Sequence, residues 1–426
     1  MTAETTPAAP APELRSRGAL GLMFDPVFGA LFWGKMFSVA AVWTHGIVAA
    51  IVMYDATRSA LMVGMVGVVQ FAPQLILSPT SGKWADTGNP FRQILLGRVL
   101  CVVGSGSIAI WFFASPEIAG MAAAVPVLLG TTLVGFGFVV GGPALQSIVP
   151  NLIRMGELPT AMALNSMPMT VGRVVGPATG AYLAAHLGPA SAFAVSAALH
   201  LVFALVLIAV RFPAPRQRRA GADYRVRVAV RYVVRDRPLL LALVGVTTIG
   251  VASDSSITLA PSLADRLGGG ATLVGTLSAV FGVGAAVGMG ALALLRGRIS
   301  SARVSSIGLV SLGAGCAVLA LNSTVVVAMT GLAIAGFGFG CAMTGLSTLV
   351  QERAPEELRG RIMALWLVGF LGSRPIAAAV LGGSADLFGV SAGFALAAAM
   401  TAVVAVVCLP RRLTGPLPGS WPESRL

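Results

Sequence analysis

The chain has 426 residues, 56% hydrophobic and only 11% charged, with a mean hydropathy of +0.87 and a formal net charge of +13. A soluble domain carries roughly 25% charged residues, so a water-facing globular surface is excluded. Nucleic acid is excluded as a partner too, because Lys and Arg stand in short clusters between long apolar runs with no basic-aromatic patches beside them.

Residues 1–25 are rich in Pro, Ala and Thr and read as a disordered cytoplasmic tail. A crossing needs about 20 apolar residues. Runs of that kind predict spans over 28–54, 61–81, 94–114, 122–148, 160–186 and 190–211, an N-terminal six-helix bundle within 26–211. A basic cytoplasmic linker follows over 212–238, holding Arg216, Arg218, Arg219, Arg225, Arg227, Arg231, Arg235 and Arg237. It reads as a topology anchor that can also touch anionic lipid headgroups. The second bundle, 239–410, offers spans 239–262, 272–295, 304–322, 325–350, 361–385 and 390–410, before a cytoplasmic tail at 411–426. With both termini cytoplasmic, only Arg58 and Arg266 of the 29 Lys and Arg fall on the opposite side, and Lys35, Arg173 and Arg374 fall within spans.

The halves repeat. Gly135-Phe136-Gly137-Phe138 recurs as Gly336-Phe337-Gly338-Phe339, Met162-Ala163-Leu164 as Met363-Ala364-Leu365, and Arg173 as Arg374, all 201 residues apart. The expected fold is therefore an all-α integral membrane protein, with twelve transmembrane helices in two pseudo-symmetric six-helix bundles. Transporters built from such repeats place the substrate near mid-membrane between them.

Ionisable groups inside spans are costly and default to functional candidates. Of 16 acids, Asp254 alone lies well inside a span, about 22 Å along it at 1.5 Å per residue. It is the candidate proton-coupling carboxylate, or it caps the outer end of a shorter span. Arg173 and Arg374 are cavity charges that pair with Asp254, bind an anionic part of a substrate, or tie backbone carbonyls. Lys35 either joins them or snorkels to the headgroups. His45 is a second proton-coupling candidate, since imidazole titrates near neutrality, or a packing residue.

Cys101, Cys316, Cys341 and Cys408 lie in apolar runs without metal-ligand spacing, and no Gly-x-x-x-x-Gly-Lys loop occurs. No metal, cofactor or enzymatic activity is expected.

Two motifs carry a family resemblance. Gly82-Lys83-Trp84-Ala85-Asp86-Thr87-Gly88-Asn89-Pro90-Phe91-Arg92 is similar to the loop of the major facilitator superfamily that reads roughly G-x-x-x-D-R-x-G-R-R/K. Gly82, Asp86, Gly88 and Arg92 match it, while Thr87 replaces the usual Arg; its counterpart near Arg296-Gly297-Arg298 lacks the Asp. Gly172-Arg173-Val174-Val175-Gly176-Pro177-Ala178-Thr179-Gly180 resembles the G-x-x-x-G-P-x-x-G signature of family antiporters. Pro150 to Asn165 and Glu352 to Ala364 resemble the twelve-helix drug:proton antiporter branch that includes macrolide-efflux and enterobactin-export proteins. The resemblance implies a monomeric, proton-coupled exporter of the bacterial plasma membrane. Its substrate would be a drug, siderophore or natural product. A cytoplasmic latch would form at Gly82, Asp86, Gly88 and Arg92, with a bendable hinge at Gly172, Gly176, Pro177 and Gly180. An uptake symporter and a non-transporting receptor on the same fold are the rival expectations.

Overall fold

The computed structural model describes residues 17–115, 120–154, 156–210, 212, 226–294, 298–321, 324–355 and 358–415. The first half comprises α1 (Ala19–Met23), α2 (Phe28–Thr57), α3 (Ala60–Thr87), α4 (Pro90–Ala114), α5 (Met121–Ser147) and α6 (Leu158–Ala209), with a short 3-10 turn at Val149–Leu152. The second half follows as α7 (Val226–Arg235), α8 (Arg237–Thr258), α9 (Ala260–Arg266), α10 (Ala271–Leu294), α11 (Ser301–Leu321), α12 (Val325–Arg353), α13 (Arg359–Gly372), α14 (Arg374–Phe388), α15 (Val390–Val407) and α16 (Pro410–Leu413).

Among the described residues, ten helices are long and apolar enough to cross a membrane, and Ala60–Gln74 of α3 forms a shorter apolar stretch. One of the ten, Thr160–Ala209, reverses at Gly188, whose φ of 80° and ψ of 162° are open to glycine and strained for other residues. Its first arm runs parallel to α2, with Gly172, Gly176 and Gly180 against Val39, Trp43 and Ile47. Its second arm runs antiparallel, with Phe193 against His45, Ser196 on the Ala41 carbonyl and Phe203 against Gly34. In the second half Gly389 (φ 87°) makes the same turn between α14 and α15, again 201 residues on. With α3 and the reversal at Gly188, the helix order accommodates the twelve crossings expected from the sequence.

Equivalent helix pairs pack alike: Gly137 of α5 meets Gly97 and Cys101 of α4, and Gly338 of α12 meets Gly308 and Leu312 of α11. With lipid as solvent no hydrophobic force drives helices together, so close backbone contact at small residues holds the bundle.

Order at the N-terminus exceeds the expectation. The stretch 17–25 is not a disordered tail: Leu22 of α1 is fully buried, and the Arg17 backbone N–H, Nε and Nη2 donate to Glu157 at 2.8, 2.9 and 2.8 Å. Arg17 also pairs with Asp25, which accepts from the Val27 and Phe28 N–H groups and so caps α2. The final tail is likewise ordered through residue 415, because α16 buries Leu413 and the Gly415 carbonyl accepts from Arg353 at 3.0 Å. Arg353 also grips Asp236 from Nε and Nη2 at 2.9–3.1 Å, and Asp236 accepts from the Leu239 N–H to cap α8. Both halves thus begin on an Asp cap tied to an arginine.

The Arg17 hydrogen bonds hold the Glu157 carboxyl down at about 2. An unfolded Glu titrates near 4.3, so this tie contributes fully above that value and is lost as pH falls toward 2. The expected mobility of a spin label at Leu20 is therefore flat from pH 8 to 5 and rises only below about pH 4. Glu157→Gln is expected to loosen the label at neutral pH.

Candidate functional site

The seam between the halves is closed at the end opposite the chain termini. A Cβ on Gly64 of α3 would lie 2.4 Å from the Ala378 carbonyl oxygen of α14, and one on Gly382 would lie 2.5 Å from the Ala60 carbonyl oxygen. On α10, a Cβ on Gly275 would lie 2.4 Å from Ala181 Cβ of α6, and one on Gly282 would lie 3.0 Å from Val174 Cα. Polar contacts bridge the same rim. Asp386 accepts from Ser59 Oγ at 2.5 Å and from the Ala60 and Leu61 N–H groups at 2.6 and 3.1 Å. Asp265 accepts from Arg58 at 3.0 Å and Tyr54 at 3.1 Å.

Below this rim lie three charges that the sequence singled out. Asp254 of α8 is 3% exposed, with Oδ1 3.3 Å from Arg374 Nε and Oδ2 accepting from Thr258 Oγ1 at 2.7 Å. At 1.5 Å per residue it stands about 26 Å from the start of α8. The helix runs one turn past it to Thr258 before α9 follows. Arg374 opens α14 where Ser373 and Pro375 interrupt the helix, since Pro375 supplies no N–H.

Aromatic rings enclose the cationic groups in a reciprocal pattern. Arg173, from the first half, stacks on Phe339 (4.0 Å) and Phe281 (5.1 Å) of the second. Arg374, from the second half, stacks on Phe71 (4.6 Å) and Trp43 (5.7 Å) of the first. Trp43 also lies 5.0 Å from Arg173, so one indole serves both guanidinium groups. Each such contact contributes about 0.5–2 kcal/mol, more when desolvated. Among the described residues, Arg173 Nη2, Arg374 Nη2 and Trp366 Nε1 are buried donors without a hydrogen-bond partner.

The other sequence candidates fall elsewhere. Lys35 Nζ donates to the Asn165 carbonyl and Oδ1 at 2.8 and 2.7 Å, within the first half. His45 is sealed among α4, α5 and α6, its Nδ1 2.9 Å from Ser105 Oγ and its Nε2 3.0 Å from Thr131 Oγ1. Sequence reasoning missed Arg98 and His200, which flank Ser38 in the same interior. Arg98 falls within the 94–114 span, yet it was not among the candidate charges; it sits two turns into α4 and is 3% exposed.

Of the loop motif, Gly82 faces open space near the end of α3, Gly88 terminates that helix and Arg92 is exposed in the first turn of α4. The Asp86 side chain lies outside the described residues. In the second motif, Gly172, Gly176 and Gly180 lay α6 on α2 and carry Trp43 to the arginines, while Pro177 is buried within α6. A Cβ at Gly176 would stand 2.5 Å from Trp43 Cβ and 2.8 Å from the Ala40 carbonyl oxygen. Overpacking of this kind costs about 1–3 kcal/mol, so Gly176→Val is expected to lower the melting temperature and disable the site. Gly82→Ala, with nothing within 4 Å, is expected to leave thermal stability unchanged or raised; thermal unfolding by size-exclusion chromatography reads both.

Two helical halves facing each other across a buried charged seam define a transporter of the major facilitator fold. The chain belongs to the transmembrane secretion effector family of that superfamily, whose model matches residues 18–417. It is 29% identical over 373 residues to an enterobactin exporter of Salmonella typhimurium, covering 85% of this chain and 86% of that one. An enterobactin exporter of Escherichia coli O1:K1 / APEC is 29% identical over 374 residues with the same coverage. Solved structures share the fold. A POT family transporter in complex with 5-aminolevulinic acid has a TM-score of 0.70 at 12% identity, covering 91% of this chain and 96% of that one. A bacterial homologue of the human lysosomal transporter Spinster, inward-facing and unoccupied, has a TM-score of 0.68 at 15% identity, covering 90% and 96%. The chain is thus a multi-pass membrane transporter for a small-molecule substrate.

Proposed function

We propose that this transporter is a proton-coupled exporter of the bacterial plasma membrane, with twelve spans and both termini cytoplasmic, acting as a monomer. It carries a mid-sized amphipathic compound outward by alternating access. A siderophore is the leading class, because relatives matching most of the chain are enterobactin exporters; drugs and other natural products are the alternatives.

The observation that carries this reading is the Asp254–Arg374 pair at the seam, beside an arginine of the opposite half. An ionisable carboxylate buried in a span is costly and is therefore a functional candidate by default. Protonating Asp254 releases Arg374 and unlocks the reciprocal stacking, so the halves can rock about the site. With the termini inside, the closed rim faces outward and the state described is inward-facing. The two basic terminal ties then lie on the cytoplasmic side, as the Lys and Arg distribution requires.

Everted vesicles from an efflux-deficient host test it. Addition of antibiotics, dyes and siderophores to vesicles holding a preformed pH gradient is expected to release protons for at least one compound. Silence across the panel, with the protein shown to be folded and inserted, counts against export.

A further inference from the structure

The seam site holds two guanidinium groups against one carboxylate. The remaining cationic side chains buried in the first half do not share that carboxylate: Lys35 is held by Asn165 and Arg98 by Ser38. A buried charge without a counter-ion is expensive, so one positive charge at the site awaits a partner.

The geometry indicates where that partner goes. Arg173 is 8% exposed and its flat face is covered by Phe339. Guanidinium N–H bonds lie in the plane of the group, so its edge remains able to donate, and Nη2 there has no acceptor. Arg374 Nη2 and Trp366 Nε1 also lack acceptors. Trp366 is joined to the cage through Phe370, whose ring is 5.5 Å from Trp366 and 6.3 Å from Phe339. These three buried, unpartnered groups are all donors, and the rings between them offer flat apolar surface. On α6 the residues at helical spacing before Arg173 are Met162, Ser166 and Met169, all exposed. They form a soft, adaptable stripe leading from the terminal end to the arginine.

We propose that the cage is an organic-anion site: it takes an aromatic compound through a carboxylate, phenolate or sulfonate received by the Arg173 edge, with the aromatic body on Trp43 and Phe339. Arg173 rather than Arg374 receives the anion, because Arg374 already faces Asp254. A monoanion makes the charge of the cage zero. This rests on the export reading and adds the sign of the substrate's charge.

The test is calorimetric titration of the purified full-length protein with 1-naphthoate, 1-naphthamide and 1-naphthylmethylammonium, which share an aromatic body and differ in charge. Naphthoate is expected to bind at least tenfold tighter than the other two. Arg173→Gln is expected to remove that preference and Arg173→Lys to keep part of it. Should Arg173→Gln not fold, the wild-type charge series decides alone. Equal or tighter binding of the amide or ammonium overturns the proposal, as does binding of none of the three at millimolar concentration. Titrations in low-salt buffer with and without added chloride separate organic from inorganic anions; abolition of the preference by chloride also overturns it. Proton release in vesicles without naphthoate preference keeps the export reading and removes this one. Naphthoate preference with silent vesicles does the reverse.

Discussion

Asp254→Asn is expected to abolish compound-driven proton release and to lower the thermal stability of the protein sharply. The carboxylate is the counter-ion of Arg374 and lies on the same seam as Arg173. Removing one partner of a buried pair costs about 3–5 kcal/mol, chiefly because the other charge is left uncompensated. Here two guanidinium groups would be stranded, although their aromatic neighbours offset part of the cost. Asn keeps the shape and the acceptor for Thr258 but has no titrating proton. The stability loss and the transport loss therefore have different causes.

Those causes separate in a second variant. Asp254→Asn combined with Arg374→Gln removes both charges, so part of the stability is expected to return while proton coupling stays absent. Replacing a buried pair by well-packed apolar residues of similar volume is often close to neutral, and the uncharged amides recover part of that gain. Thermal unfolding of the detergent-solubilised protein and the everted-vesicle assay read the two effects. An Asp254→Asn protein as stable as wild type would show that the carboxylate does not hold the cage together. Proton release surviving in the double variant would remove Asp254 from the proton path.

The sequence revealed the cage's charges but not its construction. Asp254, Arg173 and Arg374 stood out because charge inside an apolar run is rare, and the 201-residue repeat linked the arginines. The repeat reaches further, since Gly188 and Gly389 share that spacing and the same left-handed turn. Neighbours across the seam left a weaker signal. Phe339 belongs to the repeated Gly-Phe-Gly-Phe motif, but Phe71 and Phe281 are ordinary apolar residues in apolar runs, and only three-dimensional packing sets all three over a guanidinium. Arg98 drew no attention because a charge near a helix start reads as an end-of-span residue, and hydropathy cannot see Ser38 waiting inside. Nor does the sequence link Glu157 to Arg17, which lies 140 residues away and meets it only in the fold.

Asp386→Ala is expected to open the rim that closes the seam. Asp386 sits in the last turn of α14, where its charge faces the negative end of its own helix dipole, an unfavourable place. Across the seam it meets the positive start of α3 and accepts from the Ala60 and Leu61 N–H groups and from Ser59 Oγ. Ser59 in turn accepts from the Met62 N–H at 3.1 Å, so one aspartate of the second half completes the cap of a helix in the first. Capping contacts contribute about 0.5–2 kcal/mol. Because this one exists only while the halves touch, its loss shifts the closed–open equilibrium by roughly 2- to 30-fold, at 1.4 kcal/mol per factor of ten. Arg58 and Asp265 bridge the same rim, yet their side chains are 64% and 51% exposed, and such pairs contribute about 0–1 kcal/mol. Arg58→Gln is therefore the matched control with the smaller shift. Spin labels on cysteines introduced at Ala114 and Leu321, at the rim ends of α4 and α11, report the separation of the halves. Asp386→Ala should populate longer distances, with Asp386→Asn intermediate because it keeps an acceptor. A distance distribution that Asp386→Ala leaves unchanged, or one that Arg58→Gln moves further, would show that the aspartate cap does not hold the rim.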